Sequence, residues 1–312
     1  MYERYYGLQE RPFDLSPNPR FLCFTAQHRE ALVHLQYGLS GRPGLTVLVG
    51  EAGTGKTTLI RAALQASSAS ATIVHLSNPT LTREEFFEYL ASGFGFSAKA
   101  GQSKIQFLRE LEAALDDPDQ KKRVLALIVD EAQSVPYELL EEIRLLTNVE
   151  SATGRSLAVA LVGQPELAAR LDEPRLRQLK QRVVLRCELQ PLSLKETAAY
   201  ISARVRTAGG EATQLFSRDA VIAIHDRSRG IPRVISVICD NALVTGFATD
   251  RRPVGESVIA EVSNGLSLPG APSPEPAHEP IAVAAAAARL PIIPERDSLF
   301  GAFARLRRFS FF

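Results

Sequence analysis

Short apolar runs rich in β-branched residues alternate with amphipathic segments along the chain as far as Leu189. The runs lack strict alternation of apolar and polar positions, which is typical of strands that are covered on both faces. They are Thr46–Val49, Thr72–Leu76, Val124–Asp130, Leu157–Val162 and Val183–Leu189. The fifth run includes Arg186 and Glu188, so we expect it at an edge of the sheet.

Segments with the helical spacing of apolar residues separate these runs. They are Thr57–Ala66, Arg83–Phe94, Pro136–Thr147 and Glu166–Leu171. Strand and helix in alternation predict a parallel sheet, because each strand needs a crossover to reach the next in the same direction. We therefore expect an α/β fold built on a five-stranded parallel sheet with helices on both faces.

Beyond Leu189 the pattern is helical only. Apolar residues recur at i, i+3 and i+4, and glycine or proline separates the segments at Gly209-Gly210 and Gly230-Ile231-Pro232. The segments are Lys195–Thr207, Arg218–Arg227, Arg233–Phe247 and Ser257–Ser263. This pattern predicts a small all-helical unit after the sheet.

The composition changes again from Leu268. Seven prolines between Pro269 and Pro294 predict a flexible linker, because such a segment buries too little apolar area to offset its ordering entropy. The stretch Ser298–Phe312 then carries five phenylalanines and three arginines. We expect this tail to dock on a membrane interface or on a partner protein, with folding back onto the core as the alternative.

Charge and cysteine content narrow the class of protein. The net charge is +1, so attraction to DNA is not supported by bulk charge and would need a local patch such as Arg175–Arg186. The spacing of Cys23, Cys187 and Cys239 does not resemble a metal site, and reduced thiols favour a cytoplasmic location. No apolar stretch reaches the roughly 20 residues that a bilayer requires, so we expect no transmembrane segment.

A phosphate-binding motif follows the first apolar run. The sequence Gly50-Glu51-Ala52-Gly53-Thr54-Gly55-Lys56-Thr57, with Thr58 after it, fits G-x-x-x-x-G-K-[ST] between a strand and a helix. Glycines allow backbone N–H groups to surround phosphate oxygens at a helix N-terminus. Lys56 is expected to reach the β- and γ-phosphates of ATP, and the Thr57 hydroxyl to help hold Mg²⁺.

Two acids end the third apolar run. Asp130 lies where a P-loop protein holds Mg²⁺, so Thr57 and Asp130 are the expected metal ligands. Glu131 would then point toward the γ-phosphate, where a carboxylate can activate the attacking water. Two acids at this position favour hydrolysis of ATP over binding alone.

Four further polar residues are candidates for the same site. Gln164 follows the fourth run, and the carboxyl ends of parallel strands face the ligand crevice. Arg177 and Arg182 precede the fifth run, and Arg233 begins a helix of the helical unit. Guanidinium groups stabilise charge on a transferred phosphoryl group. The alternatives are a turn residue for Gln164 and solvated surface residues for the arginines.

Together these motifs resemble the AAA+ ATPases over about residues 25 to 265. More narrowly, the chain resembles the ExeA/GspA-type ATPases of bacterial general secretion, which are related to transposition ATPases of the TniB and MuB kind. The similarity lies in Tyr5-Tyr6-Gly7-Leu8, Pro12–Leu22, His28-Arg29-Glu30-Ala31-Leu32, Asp130-Glu131-Ala132-Gln133 and Gly163-Gln164-Pro165-Glu166-Leu167.

The resemblance implies roles for individual residues. Gln164 matches the sensor 1 position, Arg233 the sensor 2 position and Arg182 the arginine finger, with Arg177 as second choice. An arginine finger implies a homo-oligomer, because it completes the site of a neighbouring subunit. The expected domains are an N-terminal extension near the nucleotide site (1–24), an AAA+ nucleotide-binding domain (25–190) and a helical lid (191–266). The change in composition adds a linker (267–297) and a tail (298–312).

ExeA-like proteins usually continue into a transmembrane helix and a periplasmic part, whereas a linker and a tail follow the lid here. The main hypothesis is an ATPase that drives assembly or export at the bacterial envelope, peripheral to the inner membrane and bound to an envelope partner through the tail. A DNA-associated ATPase of transposition or replication is the alternative, and a nucleotide switch with little turnover is a third.

Overall fold

The computed structural model describes residues 1–15, 19–21, 25–40, 44–67, 71–116, 124–151 and 154–266. The predicted linker and tail lie outside the described residues, as do parts of the N-terminal extension. Among the described residues, no helix combines the length and the apolar composition that crossing a bilayer requires.

Five parallel strands form one sheet in the order β2-β3-β4-β1-β5. The strands are β1 (Leu45–Gly50), β2 (Ala71–Leu76), β3 (Val124–Val129), β4 (Ala158–Gly163) and β5 (Val183–Leu189). The predicted parallel sheet is therefore confirmed, with β5 at an edge as expected. Because β1 lies between β4 and β5 and is parallel to both, the loop that follows β1 emerges at the carboxyl edge of the sheet, beside the end of β4.

Helices flank the sheet and then form the unit that follows it. They are α1 (Tyr2–Tyr6), α2 (Ala26–Gly38), α3 (Lys56–Ala66), α4 (Arg83–Phe94), α5 (Ala98–Gln102), α6 (Lys104–Asp116), α7 (Tyr137–Leu146), α8 (Pro165–Leu171), α9 (Arg177–Lys180), α10 (Leu194–Thr207), α11 (Ala212–Leu215), α12 (Arg218–Ser228), α13 (Pro232–Ala248) and α14 (Glu256–Gly265). Short 3₁₀ turns cover Pro19–Phe21, Ala132–Ser134 and Pro174–Leu176.

Alternate residues of β1 enter two separate cores. Val47 and Val49 belong to the core beneath α4, α6 and α7. Leu48 belongs to the core on the opposite face, where it joins Leu35 of α2 and Leu59 of α3. Both faces of the strand are therefore buried, which explains why its sequence reads as a continuous apolar run.

The helical lid (α10–α14) has a core of its own, which includes the N-terminal residues. Tyr6 and Phe13 are buried in it together with Ile201 and Ile238. Arg204 of α10 fixes the N-terminal segment, because its Nε donates to the Pro12 carbonyl at 2.7 Å and its Nη2 to the Asp14 carbonyl at 3.0 Å. The N-terminal segment thus packs on the lid, while the predicted domain boundaries remain a prediction.

Candidate nucleotide site

The loop between β1 and α3 forms one wall of a cleft of about 450 Å³. Gly53 and Gly55 have φ values of +85° and +103°. In this backbone region a residue with a side chain is strained, whereas glycine is not. The chain therefore turns sharply enough to place the first residues of α3, from Lys56 to Thr58, in the cleft. A helix N-terminus that opens into a cleft offers N–H groups and a partial positive charge to an anion.

Lys56 is buried at the base of this loop. Its Nζ donates to the carbonyl of Gly50 at 2.8 Å and to that of Glu51 at 3.0 Å. Burial lowers the pKa of Lys56, and the negative charges of Glu131 and Asp130 oppose that effect. A buried ammonium with backbone carbonyls as acceptors fits the requirement of a phosphate site for one fixed positive charge.

Thr57 and Asp130 link the loop to the end of β3. The Thr57 hydroxyl donates to Oδ2 of Asp130 at 3.0 Å. Asp130 is itself buried, and its backbone N–H extends the β2–β3 pairing by a 2.9 Å bond to the Leu76 carbonyl. The structure therefore brings together the hydroxyl and the carboxylate that the sequence predicts as Mg²⁺ ligands. Such a pair of hard oxygen donors fits Mg²⁺.

Glu131 receives two amide donors on one oxygen. Gln133 Nε2 donates to Oε2 at 2.6 Å, and Gln164 Nε2 donates to the same atom at 3.2 Å. Burial disfavours the charged carboxylate, yet these hydrogen bonds and the nearby Lys56 charge together hold the pKa of Glu131 below its usual value. Glu131 thus meets Gln164 and the Lys56 charge in one site, as the sequence predicts.

Gln133 is a site residue that the sequence analysis did not assign, although it ends the Asp-Glu-Ala-Gln string. Its Oε1 accepts the backbone N–H of Gln164 at 3.0 Å, which fixes the orientation of the amide. Arg170 of α8 donates to the Gln133 backbone carbonyl. Gln133 therefore joins the carboxylate of Glu131 to the end of β4.

The lid meets the phosphate loop at Arg233. The Arg233 backbone N–H donates to the Gly53 carbonyl at 3.1 Å, and the exposed Arg233 side chain lines the cleft. A Cβ placed on Gly53 would lie only 2.7 Å from the Cβ of Arg233. The structure therefore places this predicted residue at the site, in close contact with the loop.

Arg182 and Arg177 lie elsewhere. The Arg182 carbonyl accepts the N–H of Leu45 at 2.8 Å, so Arg182 stands at the end of β1 opposite Gly50. The five residue steps of β1 separate these ends by about 16 Å. Arg177 is exposed at the start of α9. The site formed within one chain does not include either arginine.

Several residues that line the cleft lie outside the nucleotide-binding motifs of the sequence. His28 of α2 reaches the phosphate loop, and its Nε2 lies 3.0 Å from the Thr54 carbonyl oxygen. Phe21, Tyr200 and Arg204 line the cleft on the lid side. The only indication of His28 in the sequence is its place in the string that resembles the ExeA/GspA-type ATPases, and periodicity did not identify α2 as a helix.

Comparison with known proteins agrees with this architecture. Residues 39–171 match the family model described as AAA domain. General secretion pathway protein A of Aeromonas hydrophila is 41% identical over 250 residues, which are 80% of this chain and 45% of that protein. The chain therefore spans less than half the length of this curated relative.

Solved structures share the fold at low sequence identity. The Aeropyrum pernix ORC2 protein, in complexes with ADPNP and ADP, has a TM-score of 0.61 and 18% identity, over 83% of this chain and 72% of that chain. Cdc6p of Pyrobaculum aerophilum also has a TM-score of 0.61 and 18% identity, over 81% and 70%. At this identity the likeness shows the fold alone.

Proposed function

The chain belongs to the AAA+ ATPases and shares its domain with General secretion pathway protein A, and on that premise we propose that it binds ATP with Mg²⁺ and hydrolyses it. The observation that carries the proposal is the 3.0 Å bond between Thr57 and Asp130. It joins the phosphate loop to the strand end whose next residue is Glu131. One cleft thus holds a cation for phosphate, oxygen ligands for a metal and a carboxylate for water.

Binding is assigned to the loop and the start of α3. Lys56 supplies the positive charge, and the N–H groups at the beginning of α3 supply hydrogen bonds to phosphate oxygens. Thr57 and Asp130 would hold Mg²⁺, which offsets the charge that develops on the phosphates during transfer. Arg233 lines the cleft from the lid side, and its guanidinium supplies a second positive charge to the nucleotide.

Hydrolysis is assigned to Glu131 and Gln164. Both amide donors on Glu131 bind Oε2, so Oε1 is the oxygen that can accept a proton from the attacking water. Gln164 stands at the end of β4 beside this carboxylate, where its amide can orient the same water. The lowered pKa of Glu131 favours the ionised carboxylate, which is the form that orients water.

We propose that the ATP cycle serves assembly or export at the bacterial envelope, from a cytoplasmic position peripheral to the inner membrane. The support is the 41% identity to a protein named for general secretion. We further propose a homo-oligomer in which Arg182 acts on a neighbour's site, and an envelope partner that binds the tail. The tail lies outside the described residues, and liposome flotation of the full chain against a chain without residues 298–312 tests its part.

The test of the central proposal compares two variants. In Lys56→Ala the phosphate loop loses its fixed positive charge, so the affinity for ATP should fall by at least about a hundredfold. In Glu131→Gln the metal ligands stay, so ATP should bind as in the parent while phosphate release stops. Binding is measured by calorimetry and turnover by phosphate release. Equal loss of affinity in both variants, or a parent protein without turnover, would reject the assignment.

A further inference from the structure

A buried histidine that lines the cleft lies against the phosphate loop. His28 of α2 is only 4% exposed. Its Nε2 lies 3.0 Å from the Thr54 carbonyl oxygen, and its Nδ1 lies 2.6 Å from Oγ1 of Thr25. A Cβ placed on Gly55 would lie 3.4 Å from the same Nε2. The ring therefore contacts the two loop residues that precede Lys56.

The partners of the ring determine where its proton lies. A carbonyl oxygen can only accept, so Nε2 carries the hydrogen that binds Thr54. Nδ1 then pairs with the hydroxyl of Thr25, whose oxygen also accepts the His28 backbone N–H at 3.4 Å and caps α2. Thr25 thus fixes the orientation of the His28 ring, and the ring fixes the Thr54 carbonyl of the phosphate loop.

The bond to Thr54 also orients the next N–H group of the loop. A trans peptide is planar, so its C=O and N–H point in opposite directions. With the Thr54 carbonyl held toward His28, the N–H of Gly55 is directed away from the histidine. Gly55 has a φ of +103° and immediately precedes Lys56, so this peptide stands at the N-terminus of α3.

We infer that His28 is a positioning residue, which holds the Thr54–Gly55 peptide so that the Gly55 N–H is presented to a phosphate oxygen of the bound nucleotide. The inference rests on the proposed function to the extent that this loop binds nucleotide phosphate. An apolar side chain of similar size would fill the space of the ring but leave the Thr54 carbonyl without its donor. The peptide would then be free to rotate.

Substitutions of His28 separate the hydrogen bond from the packing. Glutamine places an amide nitrogen near the position of Nε2, whereas asparagine is one carbon too short to reach Thr54. Leucine fills the space without a donor. His34→Leu is the matched control, because it makes the same change six residues further along α2, where His34 Nδ1 is buried without a hydrogen-bond partner in the described structure.

The first measurement is the dissociation constant of ADP with Mg²⁺ by calorimetry, together with Tm to confirm folding. His28→Leu and His28→Asn should weaken binding on the order of tenfold, the usual effect of a lost buried hydrogen bond with its acceptor left unpaired. His28→Gln and His34→Leu should stay within about threefold of the parent. If His28→Leu does not fold, His28→Asn decides the result.

The second measurement needs no nucleotide. Hydrogen–deuterium exchange of peptides that cover residues 50–58 should be faster in His28→Leu than in the parent and close to the parent in His28→Gln. Unchanged affinity in His28→Leu, equal losses in His28→Leu and His28→Gln, or an equal loss in His34→Leu would overturn the inference. A parent protein that fails to bind ADP would reject the proposed function instead, and the exchange comparison would still decide whether His28 holds the loop.

Discussion

The side-chain amide of Gln133 donates a 2.6 Å hydrogen bond to Oε2 of Glu131. Glu131 itself has a φ of +51°, a left-handed conformation that costs a residue with a side chain about 1 kcal/mol. Surrounding contacts therefore have to hold it in place. Gln133 provides one such contact, and its own amide is fixed by the backbone N–H of Gln164.

Removal of this amide should slow hydrolysis without weakening binding. In Gln133→Ala, Glu131 loses its shortest hydrogen bond, so its carboxylate samples other rotamers and holds the attacking water less often. We expect kcat to fall by about tenfold while the dissociation constant of ATP changes by less than about twofold. The measurements are phosphate release under saturating ATP and equilibrium binding.

A remote bond of the same kind supplies the control for that experiment. Gln106 Nε2 donates to Glu110 Oε1 at 2.8 Å on α6, away from the cleft. Gln106→Ala removes a similar amide–carboxylate pair and should leave kcat unchanged. Equal kcat values for Gln133→Ala and the parent would show that Glu131 does not depend on Gln133.

The hydroxyl of Thr57 should set the Mg²⁺ requirement. Thr57→Ser keeps the hydroxyl that pairs with Asp130, whereas Thr57→Val keeps the shape and loses the oxygen. We expect half-maximal turnover of Thr57→Val to need at least about tenfold more Mg²⁺, because one oxygen ligand is missing. Thr57→Ser should resemble the parent. The assay is ATP turnover against Mg²⁺ concentration at fixed ATP, and identical curves for the serine and valine variants would contradict the assigned role.

The sheet and the phosphate loop could be predicted because their determinants are local in sequence. Buried strands have sequences that are apolar throughout. Both ends of each predicted run lie within one residue of the ends of the corresponding strand. The loop is a contiguous motif whose glycines and lysine act at fixed spacing. In contrast, α2 was missed because Val33 and Tyr37 are exposed on it, at 60% and 44%, and these apolar side chains obscure its helical period.

The site residues that could not be predicted from the sequence lie in the cleft because of tertiary contacts. His28 reaches Thr54 because α2 packs against α3 and against the strands β1 and β5. A single histidine in a helix has no sequence pattern that predicts such a contact. Arg204 lines the cleft because the N-terminal segment folds back onto α10, where the carbonyls of Pro12 and Asp14 accept its hydrogen bonds. Contacts between distant segments are not encoded in spacing, so a single sequence does not predict them.

The contact between the phosphate loop and the lid should allow only glycine at position 53. An alanine there would be strained at φ +85°, and its Cβ would approach Arg233 Cβ to 2.7 Å and Ile231 Cγ2 to 3.2 Å. We expect Gly53→Ala to weaken ATP binding by at least about tenfold, because the loop and α13 have to separate. Calorimetry with ATP and Tm are the measurements.

Gly95→Ala separates backbone strain from this contact. Gly95 has a φ of +74°, and a Cβ there would meet nothing within 4 Å. Both variants should lose about 1 kcal/mol of stability to backbone strain, but only Gly53→Ala should lose nucleotide affinity. Parent-like affinity in Gly53→Ala would show that the phosphate loop and the lid can separate without weakening ATP binding, which would contradict the prediction.

Arg182 should act on the site of a neighbouring subunit. It stands at the opposite end of β1 from the phosphate loop, as the 2.8 Å bond from Leu45 N–H to its carbonyl requires, so within one chain it cannot reach the nucleotide. A guanidinium supplied from a neighbour stabilises charge on the transferred phosphoryl group. Arg182→Ala should therefore keep ATP affinity near that of the parent and lower turnover by at least about tenfold. The same substitution at Arg177, the second choice for this role, should have a smaller effect.

Mixing two variants that are each impaired in turnover tests the same prediction more directly. Arg182→Ala retains an intact Glu131, and Glu131→Gln retains an intact Arg182. Where an Arg182→Ala site faces a Glu131→Gln neighbour, the interface holds every group that hydrolysis requires, so the mixture should release phosphate faster than either variant alone. Turnover per subunit should also rise with protein concentration, because the complete site forms only on association. Turnover that is independent of concentration, with no gain on mixing, would place Arg182 outside the reaction, since a residue at that end of β1 has no other route to the nucleotide.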